Sequence, residues 1–209
     1  MGKQQDREKI VQKIKVAADL YRKLPFCKIP EELKKYYADK ILSGSVCSFC
    51  LTESQAGSDA SNISTTAVRE GDEYVINGTK CFITNGALAD LFMVFAYTDK
   101  SKGAKGISLF LAEKEDGVKI GKTEDKMGLK LSVTSEVIFD DVRVPASRLI
   151  GQEGRGFIYA MHALEKARIT SMIHALGIAE HAMDIALDYA KVRVTFGKPI
   201  IKHQGLAFL

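Results

Sequence analysis

Two short segments hold most of the side chains that could do chemistry in this chain of 209 residues. The first, Cys50 to Asn62, reads Cys-Leu-Thr-Glu-Ser-Gln-Ala-Gly-Ser-Asp-Ala-Ser-Asn, and the second, Lys80 to Gly86, reads Lys-Cys-Phe-Ile-Thr-Asn-Gly. A hydroxyl-rich loop with a glycine offers backbone amides to phosphate, and an aromatic ring can stack on a flat heterocycle. Together the two segments predict a site for a planar cofactor that carries phosphates.

The second segment would present an aromatic ring beside a hydroxyl. In a strand that begins at Thr79, side chains alternate, so Lys80, Phe82 and Thr84 share one face. Such a pair could stack on a heteroaromatic ring and hydrogen-bond its edge. A core phenylalanine beside a surface threonine explains the same residues, and on these residues alone it is the favoured explanation.

Composition narrows the class of protein. The chain is 46% hydrophobic and 27% charged, which predicts a packed globular core. No apolar run approaches the roughly 20 residues of a membrane-spanning helix, and the first residues lack the apolar stretch of a signal peptide. The net charge of +4 is spread along the chain without a basic stripe, which argues against nucleic acid.

The spacing of cysteines and histidines argues against a metal site. Cys47 and Cys50 form a Cys-x-x-Cys, but in a predicted strand residues three apart point to opposite faces. Cys27 and Cys81 form no second pair, and the four histidines have no zinc-like spacing. We therefore expect no metal, with the thiols behaving as small apolar side chains in a reducing compartment.

The elements that must position the two segments follow from periodicity. Apolar residues recur at helical spacing from Ile10 to Leu24, and a second helix is predicted from Glu31 to Leu42, with Gly44 as its stop. From Ser45 to Val144 the pattern changes to short β-rich runs, and Asn77-Gly78 is a strong hairpin signal. The predicted strands are Ile63–Val68, Tyr74–Ile76, Thr79–Thr84, Leu91–Tyr97, Ile107–Ala112, Val118–Ile120 and Glu136–Val144.

These patterns predict an α+β protein in three regions. Residues 1–44 are a helical segment, 45–150 an antiparallel β-barrel or sandwich, and 151–209 the start of a C-terminal helical bundle. The glycine-rich segment from Gly151 to Gly156 predicts a turn into a long helix that lasts to about Arg193. This helix would span about 54 Å and would need other helices packed against it. A further helix should begin near Pro199. The chain then stops at Leu209 without a capping signal, so we expect that it is cut within an element.

The segments resemble the signatures of the acyl-CoA dehydrogenase family. Cys50 to Asn62 is similar to its Thr-Glu-x-x-Ala-Gly-Ser-Asp motif, with Ser54 where proline is usual, and Phe82 to Gly86 is similar to its aromatic-Ile-Thr-Asn-Gly stretch. Arg193 to Pro199, followed by His203-Gln204, resembles its Arg-x-x-Phe-Gly turn between C-terminal helices. The resemblance covers roughly residues 30–209.

The resemblance implies FAD as the cofactor. Phe82 would stack on the isoalloxazine with Thr84 at its edge, and Arg193 would approach the FAD of a neighbouring subunit. An ordinary helix-end cation is the alternative for Arg193. The implied cofactor-binding residues are Phe49, Leu51, Thr52, Gly57, Ser58, Phe82, Ile83, Thr84, Arg193, Thr195, Phe196, His203 and Gln204.

For the substrate, the resemblance implies an acyl-CoA held by Ser58, Glu165 and Arg168. A surface ion pair between Glu165 and Arg168 is the simpler explanation of that pair. The family reaction is α,β-dehydrogenation with hydride transfer to the flavin, in fatty-acid β-oxidation. The catalytic glutamate would lie beyond Leu209, so the catalytic residue is unknown within this chain; Ala167 stands where some branches carry the base.

The resemblance also implies partners and a location. Electrons would pass to an electron-transfer flavoprotein, and the complete protein would be a homotetramer, a dimer of dimers, in the bacterial cytoplasm or the mitochondrial matrix. A noncatalytic flavin- or CoA-binding fragment, or an assembly module, is the alternative from another class. An acyl-CoA oxidase or an enoyl-CoA reductase would share the same framework.

Overall fold

The computed structural model describes residues 31–208, in two compact units, 31–160 and 161–208. The predicted helix between Ile10 and Leu24, and Cys27, lie outside the described residues. The predicted domain division at residues 44 and 150 stays a prediction.

A single helix precedes the β region in the described chain. Helix α1, Glu31–Leu42, has the predicted bounds, and the chain leaves it through Gly44 at φ 105°. Tyr37 is buried, and Lys40 Nζ donates to the Glu113 carboxylate at 2.6 Å. This helix is therefore attached to the β region by both an apolar and an ionic contact.

Seven strands of the first unit form one sheet that curls into half a barrel. The sheet order is β1-β4-β2-β3-β7-β6, and β5 pairs with β4 along its length. The strands are β1 Cys47–Cys50, β2 Thr66–Glu70, β3 Glu73–Thr84, β4 Leu91–Tyr97, β5 Ile107–Glu113, β6 Lys119–Thr123 and β7 Thr134–Pro145.

The sheet is mixed, which corrects the prediction of an antiparallel one. Strand β4 runs parallel to both β1 and β2, while the other pairs are antiparallel. The physical reason is that no hairpin turn joins β4 to either of its parallel neighbours: β2 and β3 lie between β1 and β4 in the sequence, and β3 lies between β2 and β4. The crossover that leaves β1 contains most of the first chemistry-bearing segment.

The concave side of the sheet holds the hydrophobic core. Its buried members come from every strand except β6, so the interior is continuous across the sheet. Large side chains with almost no exposed area fill it: Phe92, Phe110, Phe139, Ile76, Val94 and Val137.

The hairpin expected at Asn77-Gly78 is wrong. Strand β3 runs straight through these residues, and the pairing with β7 only shifts register between Ile76 and Gly78. The Asn77 amide exchanges two hydrogen bonds with Asp141, at 2.9 and 2.8 Å. Gly78, at φ 154°, lies where a β-carbon would come within 2.3 Å of the Thr65 hydroxyl, so glycine serves a bulge and a close approach here.

The remaining strand predictions hold with shifted ends. Leu91–Tyr97 has its predicted bounds, and the last strand of the β region extends by two residues at its start. Strand β2 begins at Thr66 and not at Ile63, because the amides of Ser64 and Thr65 donate to a side chain instead of to a neighbouring strand.

A long helix follows the β region, as predicted. Helix α2, Gly156–Val192, has 37 residues and therefore measures about 56 Å. Its exposed apolar side chains include Met172, Leu176 and Met183. None of the helices in residues 31–208 combines the length and apolarity that crossing a membrane requires.

A small hairpin closes the second unit. Strands β8 Val194–Thr195 and β9 Lys198–Pro199 pair through the two-residue turn Phe196-Gly197, whose φ angles are 50° and 77°. Two positive φ angles are what a type I′ turn requires. The helix expected near Pro199 is delayed, because a 3-10 turn over Ile200–Lys202 precedes helix α3, Gln204–Ala207.

Candidate functional site

The two segments singled out in the sequence lie next to each other in the first unit. The backbone N–H of Cys81 donates to the carbonyl of Thr52 at 2.9 Å. The hydroxyl of Ser48, on β1, donates to the carbonyl of Thr84 at 2.9 Å. The end of β1 and the end of β3 therefore form one edge.

A β-bulge turns the aromatic side chain out of the sheet at this edge. Lys80 pairs with Val137 and Ile83 with Ser135, so β3 carries one more residue than β7 between these pairs. Phe82 sits in the bulge at φ 57°, a conformation that non-glycine residues seldom adopt, and is 63% exposed. The backbone at this position is strained, and its conformation leaves a large apolar ring in contact with solvent.

The bulge also corrects the predicted face. Phe82 and Thr84 share one face, as predicted, and both are exposed, but Lys80 is fully buried and does not share that face. Simple alternation fails because the extra residue at Cys81-Phe82 shifts the side-chain period by one.

The other predicted residues of this unit divide into accessible and buried ones. Thr52 is partly exposed, and Gly57 and Ser58 are exposed in the crossover loop. Leu51 and Ile83 are buried, so a ligand could meet them only through their backbone. Phe49 is partly buried, with its ring 4.9 Å from that of Phe95.

A buried ion pair lies directly behind this edge, and it was not predicted. Lys80 Nζ is 2.8 Å from Glu53 Oε1, and both side chains are almost completely shielded from solvent. A second hydrogen bond runs from Lys80 Nζ to the carbonyl of Leu51 at 3.2 Å. The missed signal is a lysine within an otherwise apolar strand, 27 residues after an acid in a hydroxyl-rich loop.

Neutral donors surround the same carboxylate. Glu53 accepts from the N–H and hydroxyl of Ser64, both at 2.6 Å, and from the N–H and hydroxyl of Thr65, at 3.1 and 2.5 Å. Gln55 Nε2 donates to it at 2.7 Å. A buried carboxylate with this many donors has its hydrogen-bonding capacity filled.

These contacts fix the charge of the pair. Burial by itself raises the pKa of the Glu53 carboxyl, but the Lys80 ammonium and the hydrogen bonds from Ser64 and Thr65 outweigh it and lower that pKa to about 2. Burial lowers the pKa of the Lys80 ammonium, and Glu53 opposes that shift. Glu53 is therefore ionised at neutral pH.

The edge has the features that a flavin requires. Phe82 offers an accessible ring face, Thr84 an accessible hydroxyl beside it, and the loop around Ser58 exposed backbone and hydroxyl groups. A flat heterocycle would cover the ring face and find hydrogen-bond partners at its own edge. These residues fit FAD.

The predicted cofactor residues of the second unit gather around the hairpin. His203 Nε2 lies 3.3 Å from the Thr195 hydroxyl and 3.2 Å from the Thr195 carbonyl, and its ring meets that of Phe196 edge-on at 6.1 Å. Gln204 is exposed at the start of α3. Arg193 is exposed, and within the described chain no carboxylate pairs with it.

The predicted substrate residues on α2 do not pair with each other. Glu165 and Arg168 are both exposed, and the Glu165 carboxylate lies 3.9 Å from His162 Nδ1. The surface ion pair considered for Glu165 and Arg168 is therefore absent from residues 31–208. Both side chains stay accessible on the helix surface.

Across residues 31–208, no three side chains among His, Cys, Asp and Glu come close enough to hold a metal ion. Cys47, Cys50 and Cys81 are free thiols, and burial raises the pKa of the Cys50 thiol well above its usual range.

Comparison with protein families gives two matches in chain order. The middle domain of acyl-CoA dehydrogenase matches residues 48–142, and its C-terminal domain matches residues 154–209. The first match contains Glu53, Lys80 and Phe82, and the second contains Arg193 and His203.

Individual relatives agree with these matches. The chain is 48% identical over 181 residues to the short-chain specific acyl-CoA dehydrogenase of Clostridium acetobutylicum, which covers 86% of this chain and 48% of that protein. It is 44% identical over 180 residues to the caffeyl-CoA reductase–Etf complex subunit CarC of Acetobacterium woodii, covering 86% of this chain and 48% of that protein.

A solved structure matches over the same part. The fold superimposes on butyryl-CoA dehydrogenase from Megasphaera elsdenii with a TM-score of 0.81 and 47% identity, over 85% of this chain and 47% of that one. The chain thus spans about half the length of the curated relatives it matches. From the two domain matches, the relatives and the shared fold, the chain belongs to the acyl-CoA dehydrogenase family.

Proposed function

We propose that this chain provides the cofactor-holding part of an FAD-dependent acyl-CoA dehydrogenase, which converts an acyl-CoA thioester to the 2-enoyl-CoA. Acyl-CoA dehydrogenases depend on FAD and act on CH–CH groups. The observation that carries the proposal is the exposed Phe82 ring, held at a positive φ beside the Thr84 hydroxyl and the Thr52 loop.

Each group at the edge has a role in this proposal. The Phe82 ring stacks on the cofactor and shields one of its faces from water, while the Thr84 hydroxyl hydrogen-bonds its edge. Thr52 and Ser58 supply further hydroxyls, and the amides around Gly57 suit phosphate or ring oxygens. Bound FAD supplies the hydride acceptor of the reaction.

Substrate binding is assigned to Ser58, Glu165 and Arg168. Membership of the acyl-CoA dehydrogenase family supports the assignment, and all three side chains are accessible in residues 31–208, where no carboxylate pairs with Arg168. A free guanidinium on a helix is suited to an anionic group of a thioester substrate. The glutamate base implied C-terminal to Leu209 stays a prediction.

The partners of the whole protein belong to the same proposal. The Acetobacterium relative carries Etf in its name, and this supports an electron-transfer flavoprotein as the electron acceptor. The likeness of the Arg193 to Pro199 turn to that of the acyl-CoA dehydrogenase family supports a homotetramer, a dimer of dimers, in which this guanidinium reaches the FAD of a neighbouring subunit. The bacterial sources of the relatives support a cytoplasmic location.

The test is a flavin spectrum followed by anaerobic titration with butyryl-, isobutyryl- and octanoyl-CoA. We expect the purified protein to carry FAD, and we expect at least one acyl-CoA to bleach it when the protein tested includes the glutamate implied C-terminal to Leu209. Phe82→Ala should lower FAD occupancy, whereas Val68→Ala, which trims an equally exposed apolar side chain on β2, should not. A colourless protein would contradict the proposal, and a yellow protein that no acyl-CoA bleaches would favour a noncatalytic binding fragment.

An enoyl-CoA reductase is the second candidate, favoured by the name of the Acetobacterium relative. Reduced protein that passes its electrons to a 2-enoyl-CoA faster than acyl-CoA bleaches the oxidised form would support the reductase. Rapid reoxidation of the reduced flavin by oxygen would instead support an oxidase.

A further inference from the structure

The Lys80 ammonium of the buried pair Glu53–Lys80 binds the residues on both sides of Thr52, and Thr52 joins the two flavin-facing segments. The Lys80 ammonium contacts the Leu51 carbonyl on one side of Thr52 and the Glu53 carboxylate on the other. Between these two contacts, the Thr52 carbonyl accepts from the amide of Cys81. Three consecutive residues of the loop are therefore tied to two consecutive residues of β3.

This junction lies immediately before the bulge. Cys81 and Phe82 form the irregular part of β3, and Phe82 has a φ of 57° directly after the residues that the loop contacts. A strained conformation persists where its surroundings over-determine it. Two sets of contacts supply that constraint. Lys80 binds Leu51 and Glu53 from within the core, and the amide of Cys81 donates to the carbonyl of Thr52 in the loop.

We propose that Glu53 and Lys80 are positioning residues for the flavin, which set the distance between Thr52 and the Phe82 ring without touching the cofactor themselves. This inference rests on the proposed FAD site. It assigns the pair a role in how the cofactor is held, beyond its role in the core of the sheet.

Two features separate this role from ordinary core packing. A buried ion pair is a poor source of stability, because an apolar pair of similar volume is often as stable or more so. Besides its contact with Glu53, the Lys80 ammonium donates to the carbonyl of Leu51, which is part of the proposed site. Geometry at the edge, and not stability, is therefore what an apolar replacement would lose.

The experiment uses the double variant Glu53→Gln/Lys80→Met, which removes both charges together. We expect it to remain folded, since it leaves no unpaired buried ion. Its affinity for FAD should nevertheless fall about tenfold or more, because the Leu51 carbonyl loses its donor. The visible absorption bands of any bound FAD should also shift relative to wild type, which a purely structural role would not cause.

Two further variants complete the design. Lys119→Met breaks the exposed pair with Asp140 on β6 and β7 and should leave FAD affinity and spectrum unchanged. Thr65→Val keeps both buried charges and removes one donor to Glu53, and it should weaken FAD binding about threefold. This milder variant carries the test if the double variant does not fold.

The outcomes are distinguishable. Wild-type protein that takes up no FAD overturns the proposed function and this inference together. Wild-type protein that binds FAD, with a folded double variant that binds it equally tightly and with the same spectrum, overturns this inference alone. If the double variant does not fold, a Thr65→Val protein with unchanged FAD affinity overturns it. Weaker binding and a shifted spectrum in the folded double variant, with Lys119→Met unchanged, support it.

Discussion

Among single residues, Glu53 combines an almost completely buried charge with the largest number of donors at the candidate site. Its carboxylate accepts from Ser64, Thr65 and Gln55 as well as from Lys80. Removing one partner from such a cluster leaves the other charge buried without compensation, and this costs more than the intact pair contributes. The pair therefore makes the fold sensitive to acid and to single substitutions.

We expect stability to fall in acid because Glu53 must be protonated. Its pKa falls from 4.5 in the unfolded chain to about 2 in the folded protein, so the ionised carboxylate contributes about 3 kcal/mol above pH 4.5. Because the folded value is the lower one, this stabilisation is lost as the pH falls from 4.5 towards 2. Urea unfolding at a series of pH values measures it.

The variants Glu53→Gln and Asp140→Asn test this assignment. Glu53→Gln should be about 3–5 kcal/mol less stable at pH 7 and should lose most of the dependence on pH between 4.5 and 2. Asp140→Asn removes an exposed carboxylate from its pair with Lys119 and should keep that dependence. A Glu53→Gln protein with the acid sensitivity of wild type would refute the assignment.

Within single elements, close approach of backbones decides where helix α2 can begin. Its first residue, Gly156, lies against Ser108 on β5, and an added β-carbon would come within 2.5 Å of the Ser108 carbonyl carbon. Gly177, in the same helix, has open space around it. A side chain at position 156 would therefore clash with β5, whereas a β-carbon at position 177 would meet no atom of the described chain outside its own helix within 4 Å.

We expect Gly156→Ala and Gly177→Ala to differ in sign. Gly156→Ala forces two backbones apart and should cost about 1–3 kcal/mol or more. Gly177→Ala adds only helix propensity and should stabilise the protein by up to about 1 kcal/mol. Thermal unfolding of both variants is the measurement, and a Gly156→Ala protein as stable as Gly177→Ala would show that the close approach is absent.

The elements also show what could be predicted from the sequence. Strand Leu91–Tyr97 is a continuous apolar run buried on both sides, so its pattern is unambiguous. Helix Glu31–Leu42 carries its acid start and its glycine stop in the sequence. Both elements have the bounds that were predicted.

What could not be predicted depends on contacts between distant residues. Asn77-Gly78 has the composition of a turn, but its partners Asp141 and Thr65 lie elsewhere in the chain and keep the strand extended. Lys80 looked like a neighbour of Phe82 on one face, because an added residue in a strand leaves no trace in the alternation of side chains. The sequence analysis placed Phe82 and Thr84 on one face, as the structure has them, but it missed the buried Glu53–Lys80 pair behind them.

For the whole molecule, the consequences follow from assembly. The second unit presents Arg193 without a carboxylate partner in residues 31–208, and the proposed role of this guanidinium is at a neighbouring subunit. Retention of FAD should then depend on the concentration of protein, since dilution separates the subunits by mass action.

We expect Arg193→Ala to weaken FAD retention in the assembled protein by about tenfold, because a charge-assisted contact to a phosphate is lost. Lys202→Ala removes an exposed cation from the same unit and should leave retention unchanged. Released FAD can be followed by its fluorescence after dilution, with the oligomeric state measured in parallel. Equal retention in the two variants would count against the phosphate contact.

The Glu53–Lys80 pair has a further consequence for how the chain avoids misfolded alternatives. If β3 slipped by one residue during folding, Thr79 or Cys81 would face the carboxylate in place of Lys80. The misaligned sheet would then enclose an anion with no cation, at a cost of several kcal/mol. A single lysine thus favours the native register of β3 over one that is shifted by a residue.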